Sequence, residues 1–117
     1  MKLERIKINQ TEFAEIISDD LIITTLEEAT DLLGNIYYQG FDKVIIHAQN
    51  ITPAFFDLKT KLAGEILQKF STYRVQLIII GDFGAYESKS LKDFMFESNK
   101  GKHVNFLESK EKLADAF

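Results

Sequence analysis

Two histidines and a scatter of carboxylates are what this chain offers for acid–base or metal chemistry, since it contains no cysteine. His47 follows the apolar run Val44-Ile45-Ile46, at what reads as a strand end. An imidazole there could take or give a proton near neutral pH, although a polar strand-end residue bonded to backbone is the commoner outcome. His103 has no partner at a fixed spacing. The chain lacks an H-x-x-x-H pair and the acidic spacing of an EF-hand, so no metal set and no cofactor is expected. Gly81-Asp82-Phe83-Gly84 contains the kinase tripeptide Asp-Phe-Gly. Without a Gly-rich loop or a His-Arg-Asp motif it reads instead as a strand exit and turn, with Asp82 capping. G-x-S-x-G, P-loop and dinucleotide fingerprints are absent as well. The one catalytic pairing left is His47 as base with Asp82 as its orienter, which requires the two within about 3 Å, directly or through one water. No motif supports an enzyme.

The elements that must position these residues follow from hydrophobic spacing. Lys2 to Asn9 carries Ile6 and Ile8 in alternation, Asn9-Gln10 makes a turn, and Phe13 to Ile17 reads as a second strand, together a hairpin. Leu21-Ile22-Ile23 is a strand remnant or a buried connection. Thr25 and Glu28 form a capping box opening a helix over about Leu26 to Gln39, with Gly40 as its terminator. Val44-Ile45-Ile46, Val75 to Ile80 and Val104 to Leu107 are strands. Uninterrupted aliphatic runs of this kind predict a parallel sheet with helices on each side. Ala54 to Phe70 is helical in spacing, with Thr52-Pro53 as N-cap and first-turn pair. Gly64 inside that pattern costs about 1 kcal/mol relative to Ala, which close packing or a later start, near Asp57 or Thr60, would explain. Ser90 and Asp93 open a third helix that stops near Gly101, and Ser109 caps a last one holding Leu113, Ala114 and Phe117. The expected fold is α/β: a single mixed, mainly parallel sheet with an N-terminal antiparallel hairpin and helices packed on it.

In such a sheet ligands sit beyond the carboxyl ends of the strands. That rim gathers His47, Asn50, Thr52, Phe55, Phe56, Asp57, Thr60, Asp82 and Phe83. Phe55 and Phe56 are adjacent and cannot both face one core, so one of them would line a groove or an interface. Two uses of the rim follow. One is a protein-binding edge from Asn50 to Thr60. The other is a pocket for a small apolar ligand, walled by Phe55, Phe56 and Phe83 and anchored by His47 and Asp82.

The composition sets the remaining bounds. The chain has 117 residues, 14 Lys plus Arg against 18 Asp plus Glu, and a net charge of −4. That is the length of one domain, and its charge gives no basic footprint for nucleic acid. No apolar run approaches the ~18 residues of a membrane span, and the N-terminus does not read as a signal peptide, so a cytoplasmic location is expected. An exposed apolar helix face would support a homodimer.

The segment from Asn50-Ile51-Thr52-Pro53-Ala54-Phe55-Phe56-Asp57-Leu58-Lys59-Thr60 through Leu62 to Phe70, with Gly81-Asp82 and Glu97-Ser98-Asn99-Lys100-Gly101, resembles the bacterial family called domain of unknown function 4180 over nearly the whole chain. That family brings no established activity. More distantly, the element order resembles the STAS superfamily, the fold of anti-sigma-factor antagonists, and its SpoIIAA-like relatives. In the antagonists an Asp-Ser-Ser-Gly stretch opens a helix and one Ser is phosphorylated by the partner kinase. The equivalent here is Asp57-Leu58-Lys59-Thr60, where Thr60 is the only hydroxyl and Lys61 stands where Gly is expected. The resemblance implies a single STAS-like domain over residues 1–117, a regulatory or interaction module with a protein partner, and Thr60 as a phosphorylation site.

Overall fold

Asn9 and Gln10 both take positive φ, 50° and 69°, the backbone that lets a two-residue turn follow the right-handed twist of its strands. The hairpin they close pairs β1 (Lys2–Ile8) with β2 (Thr11–Ile17), antiparallel, from Lys2 opposite Ile17 to Ile8 opposite Thr11. The computed structural model describes all residues, Met1–Phe117, and continues with α1 (Leu26–Tyr38), β3 (Lys43–His47), α2 (Leu62–Tyr73), β4 (Gln76–Ile80), α3 (Lys89–Asn99), β5 (Val104–Leu107) and a short α4 (Leu113–Ala116). The five strands lie in the order β1-β2-β3-β4-β5, and every pairing after the hairpin is parallel.

This order makes the two sides unequal, with three helices on one and only the short α4 on the other. Each crossover steps to the next position in the same direction, so α1, α2 and α3 all fall on one face. There Ala29, Leu33 and Ile36 of α1, Ile66 and Phe70 of α2, and Leu91 and Met95 of α3 pack with Ala14, Ile16, Val44, Ile46, Leu77, Ile79, Val104 and Phe106. The opposite face holds the alternate strand residues, Phe13, Ile45, Ile78 and Ile80, under Leu113, with Phe117 and Leu107 at the margin. The aliphatic runs are therefore buried on both sides, but by three helices above and a thin C-terminal strap below. Asn9 Nδ2 pins the strap by donating to the Ala114 carbonyl at 2.8 Å.

The capping box opens α1 as expected: Thr25 Oγ1 accepts from Glu28 N at 3.1 Å. Thr24 donates to the Glu28 carboxylate from its hydroxyl and its amide, and these bonds hold that carboxyl below the usual range. Gly40, at φ 88°, ends the segment. Other boundaries differ. α3 is capped by Ser88, whose Oγ accepts from Leu91 N at 3.2 Å, rather than by Ser90. Ser109 makes no side-chain cap. The helix expected from Ala54 begins at Leu62, because Pro53–Phe56 and Leu58–Thr60 are separate 3-10 turns. Gly64 thus sits in the first turns of α2 with nothing within 4 Å of where a Cβ would be. Close packing does not explain it, and Gly64→Ala should raise unfolding stability by about 0.5–1 kcal/mol in urea titrations.

The open edge of β5 is sealed by side chains. Asn99 Oδ1 accepts from Phe106 N at 2.7 Å and Asn99 Nδ2 donates to Phe106 O at 3.1 Å, while Ser98 Oγ donates to Val104 O. One amide side chain occupies the sites a sixth strand would use.

Candidate functional site

Rim residues are carried mainly by the connector between β3 and α2. It leaves the sheet at His47, turns through Ala48–Asn50, and forms an isolated parallel bridge between Ile51 and Ile23. Asn50 is its anchor. The side chain is fully buried and its Nδ2 donates to Ser18 O and Asp20 O, both at 2.8 Å. Its backbone carbonyl receives Ile22 N and Ile23 N at 2.7 and 3.0 Å. Thr52 Oγ1 accepts from Ala54 N at 3.4 Å, and Asp57 Oδ1 from Lys59 N at 3.1 Å. Thr60 Oγ1 donates toward the Ala54 and Asp57 carbonyls at 2.6 and 2.8 Å and accepts from Leu62 N at 3.3 Å. Every polar residue expected on this segment is thus committed to holding its shape. Pro53, Asp57, Lys59, Thr60 and Lys61 remain exposed.

Phe55 and Phe56 are both buried on the helix-covered face, which the connector achieves by turning between them. Their rings meet edge-on at 5.0 Å. Tyr86 stacks on Phe56 at 5.1 Å, and Phe83 closes on Phe106 at 5.4 Å. Burial pushes the Tyr86 phenol up from its ordinary value. The aromatic cluster fills itself.

His47 lies on the other face of the sheet. Its Nε2 is 2.9 Å from Glu15 Oε2, and Lys110 Nζ reaches Glu15 Oε1 at 2.7 Å from the segment that leads into the strap. Asp82, the expected orienter, is exposed and accepts instead from Gly84 N at 3.1 Å. Glu15, on the interior strand β2, takes that role and is only 3% exposed. Burial pushes its carboxyl up, but the hydrogen bonds and charges of Lys110 and His47 outweigh this and hold it below the usual carboxylate range. An ionised carboxylate can only accept, so the Nε2 of His47 donates to Glu15. A groove of about 360 Å³ opens beside it, lined by Ile16, Ile17, Ser18, Asp19, His47 and Gln49. No group of three or more His, Asp or Glu side chains is placed to hold a metal ion.

Sequence reasoning passed over Glu15 and Lys110. Glu15 left a trace, as an acid flanked by Phe13, Ala14, Ile16 and Ile17; Lys110 left none. Gly81 proved necessary for a different reason than a tight exit alone. A Cβ there would lie 2.7 Å from Ala48 Cβ, where the ends of β3 and β4 approach. Gly81→Ala should cost about 1–3 kcal/mol in thermal unfolding; a Tm equal to that of the parent would show that the two turns separate freely.

Residues 8–117 match the family model described as domain of unknown function (DUF4180). The chain belongs to that family. No curated protein and no solved structure matches it. For this DUF4180 chain the strand-end geometry therefore stands on its own, with the connector on one side of the rim and the Glu15–His47–Lys110 cluster on the other. No helix is long and apolar enough to cross a membrane.

Proposed function

We propose that this DUF4180 chain is a small bacterial, cytoplasmic regulatory module that recognises a protein partner through the connector Ala48–Lys61, in the manner of the STAS antagonists its element order resembles. The observation that carries the reading is the connector itself. A segment of roughly a dozen residues without a regular helix or strand is uncommon in a compact domain and is usually functional. Here it is locked by Asn50, Thr52, Asp57 and Thr60 and by two buried rings, so a partner meeting Pro53, Asp57, Lys59 and Lys61 loses little ordering entropy on binding. Thr60 stands among them, between Lys59 and Lys61. A phosphoryl group on Oγ1 would replace the hydrogen donated to the Ala54 and Asp57 carbonyls, so modification would reshape the turn as well as add about 1.5–2 negative charges. Favouring this reading over an apolar-ligand pocket, the rings of Phe55, Phe56 and Phe83 and the imidazole of His47 lie on opposite faces of the sheet.

A photo-crosslinking residue placed at Lys59, and as a control at Lys7 on the edge strand, tests the partner in the native host. A defined heavier adduct from position 59 alone is expected. Equal patterns from both positions, or an adduct of two copies of this chain, would overturn the reading. Intact mass before and after phosphatase treatment tests the switch: loss of one phosphate that maps to Thr60 is expected, and an unmodified chain removes the switch.

A further inference from the structure

At the opposite end of the sheet from the rim, on the face covered by the strap, lies a groove of about 530 Å³ between the end of α3 and the end of α4. We propose that it is a binding site for a small organic anion carrying phosphate or carboxylate groups. Three lysines line it, Lys43, Lys100 and Lys102, and no carboxylate side chain does, in a chain whose net charge is −4. The positive charge is therefore gathered against the trend of the whole molecule, and a concave wall focuses such a field on an incoming anion. The lysines are weakly neutralised. Lys43 meets the exposed Asp42 at 3.4 Å, Lys100 meets the exposed Glu97 at 3.2 Å, and Lys102 has no acidic partner within 4.0 Å.

The floor is built rather than incidental. Gln76, at the start of the interior strand β4, is 7% exposed and donates from Nε2 to Asn105 Oδ1 at 2.6 Å. Asn105 Nδ2 in turn donates to the Gly101 carbonyl at 3.0 Å, which ties the loop carrying Lys100 and Lys102 to the sheet. Phe117 supplies an apolar wall and is itself held by Phe13, edge-on at 5.2 Å. The volume falls within the range of small-molecule sites, roughly 300–1,000 Å³. Lysines at the margin of a fixed amide floor with one aromatic wall fit a metabolite that is charged at one end and flat or apolar at the other; the Lys100 ammonium, 4.7 Å over the Phe96 ring, would swing from there to meet it. The proposal is independent of the partner-binding connector.

Titration of the isotope-labelled full chain with three probes, inorganic phosphate, citrate and adenosine monophosphate, followed by amide NMR, reads the site directly. Shifts confined to Lys43, Gln76 and Lys100 to Asn105, with a Kd below about 1 mM for citrate or the nucleotide, are expected. Citrate binding alone marks carboxylate as the preferred group, and nucleotide binding marks phosphate. Lys43→Met with Lys102→Ala should weaken binding at least tenfold, while Lys69→Ala, on the exposed side of α2, should not change it. Shifts spread evenly over all lysines, equal weakening by Lys69→Ala, or no saturation with any probe at about 10 mM would overturn the proposal.

Discussion

Asn50→Asp should lower the stability of this chain by about 3–5 kcal/mol, or a Tm drop of roughly 10–20 °C for a domain of this size. Asn50 contributes two hydrogen bonds from one buried amide to the carbonyls of Ser18 and Asp20. A carboxylate of the same shape removes both donors and sets negative oxygens against two carbonyl oxygens in a fully buried site. The Asn50 Oδ1 has no hydrogen-bond partner within the chain. The introduced carboxyl would be held well above its unfolded value, because the fold favours its neutral form. Relative to the parent, the variant should therefore recover part of its deficit as pH falls through that raised value. Thermal melts of both proteins from neutral to acidic pH check this. A Tm within about 2 °C of the parent at pH 7 would mean that Asn50 does not anchor the rim.

The second large effect concerns Glu15. Its folded carboxyl lies below the usual range, so its contribution is fully present above the unfolded value and is lost as pH falls through the lowered folded one. The charged groups facing it are Lys110 from the C-terminal segment, His47 from β3 and, directly opposite on β1, Glu4, whose like charge opposes it. Glu15→Gln keeps the volume but removes the charge and turns an amide donor toward two donors. A loss of about 2 kcal/mol near pH 7 is expected, shrinking toward zero as pH falls through the lowered folded value and the parent carboxyl protonates. Lys110→Met should cost less, and the double variant should lose less than the two single losses added together, because one interaction is counted twice. Since Lys110 leads into the strap, hydrogen exchange at Phe117 N, which donates to Leu113 O, should quicken in Glu15→Gln. Additive losses with unchanged exchange would separate the cluster from the strap.

A great deal of the architecture was legible from local spacing. The hairpin turn at Asn9-Gln10, the Thr25–Glu28 cap and Gly40 each rest on interactions among near neighbours, the three aliphatic strands are marked by local apolar runs, and each fell within a residue or two of its expected place. The helix read from Ala54 failed for a local reason as well. Phe55, Leu58, Leu62 and Ile66 repeat at helical spacing, but Lys61 takes φ 66° and breaks the chain there, while Pro53 and Thr52 cap only a single turn. Among the candidate residues, Asn50, Thr52, Phe55, Phe56, Asp57 and Thr60 came together because they share one connector.

What residue types and spacing determined about this protein is the α/β order, the parallel sheet and the rim on which the connector lies. Tertiary structure alone decided which face each rim residue joins, and so that His47 pairs with Glu15 rather than Asp82, that Lys110 closes the cluster from ninety-five residues away, and that three lysines converge on one groove. The physical reason is range. Caps, turns and apolar periodicity are written within a few residues, whereas a buried carboxylate is stabilised by whichever cations the folded sheet brings to it, and nothing local distinguishes those lysines from the ones left in solvent.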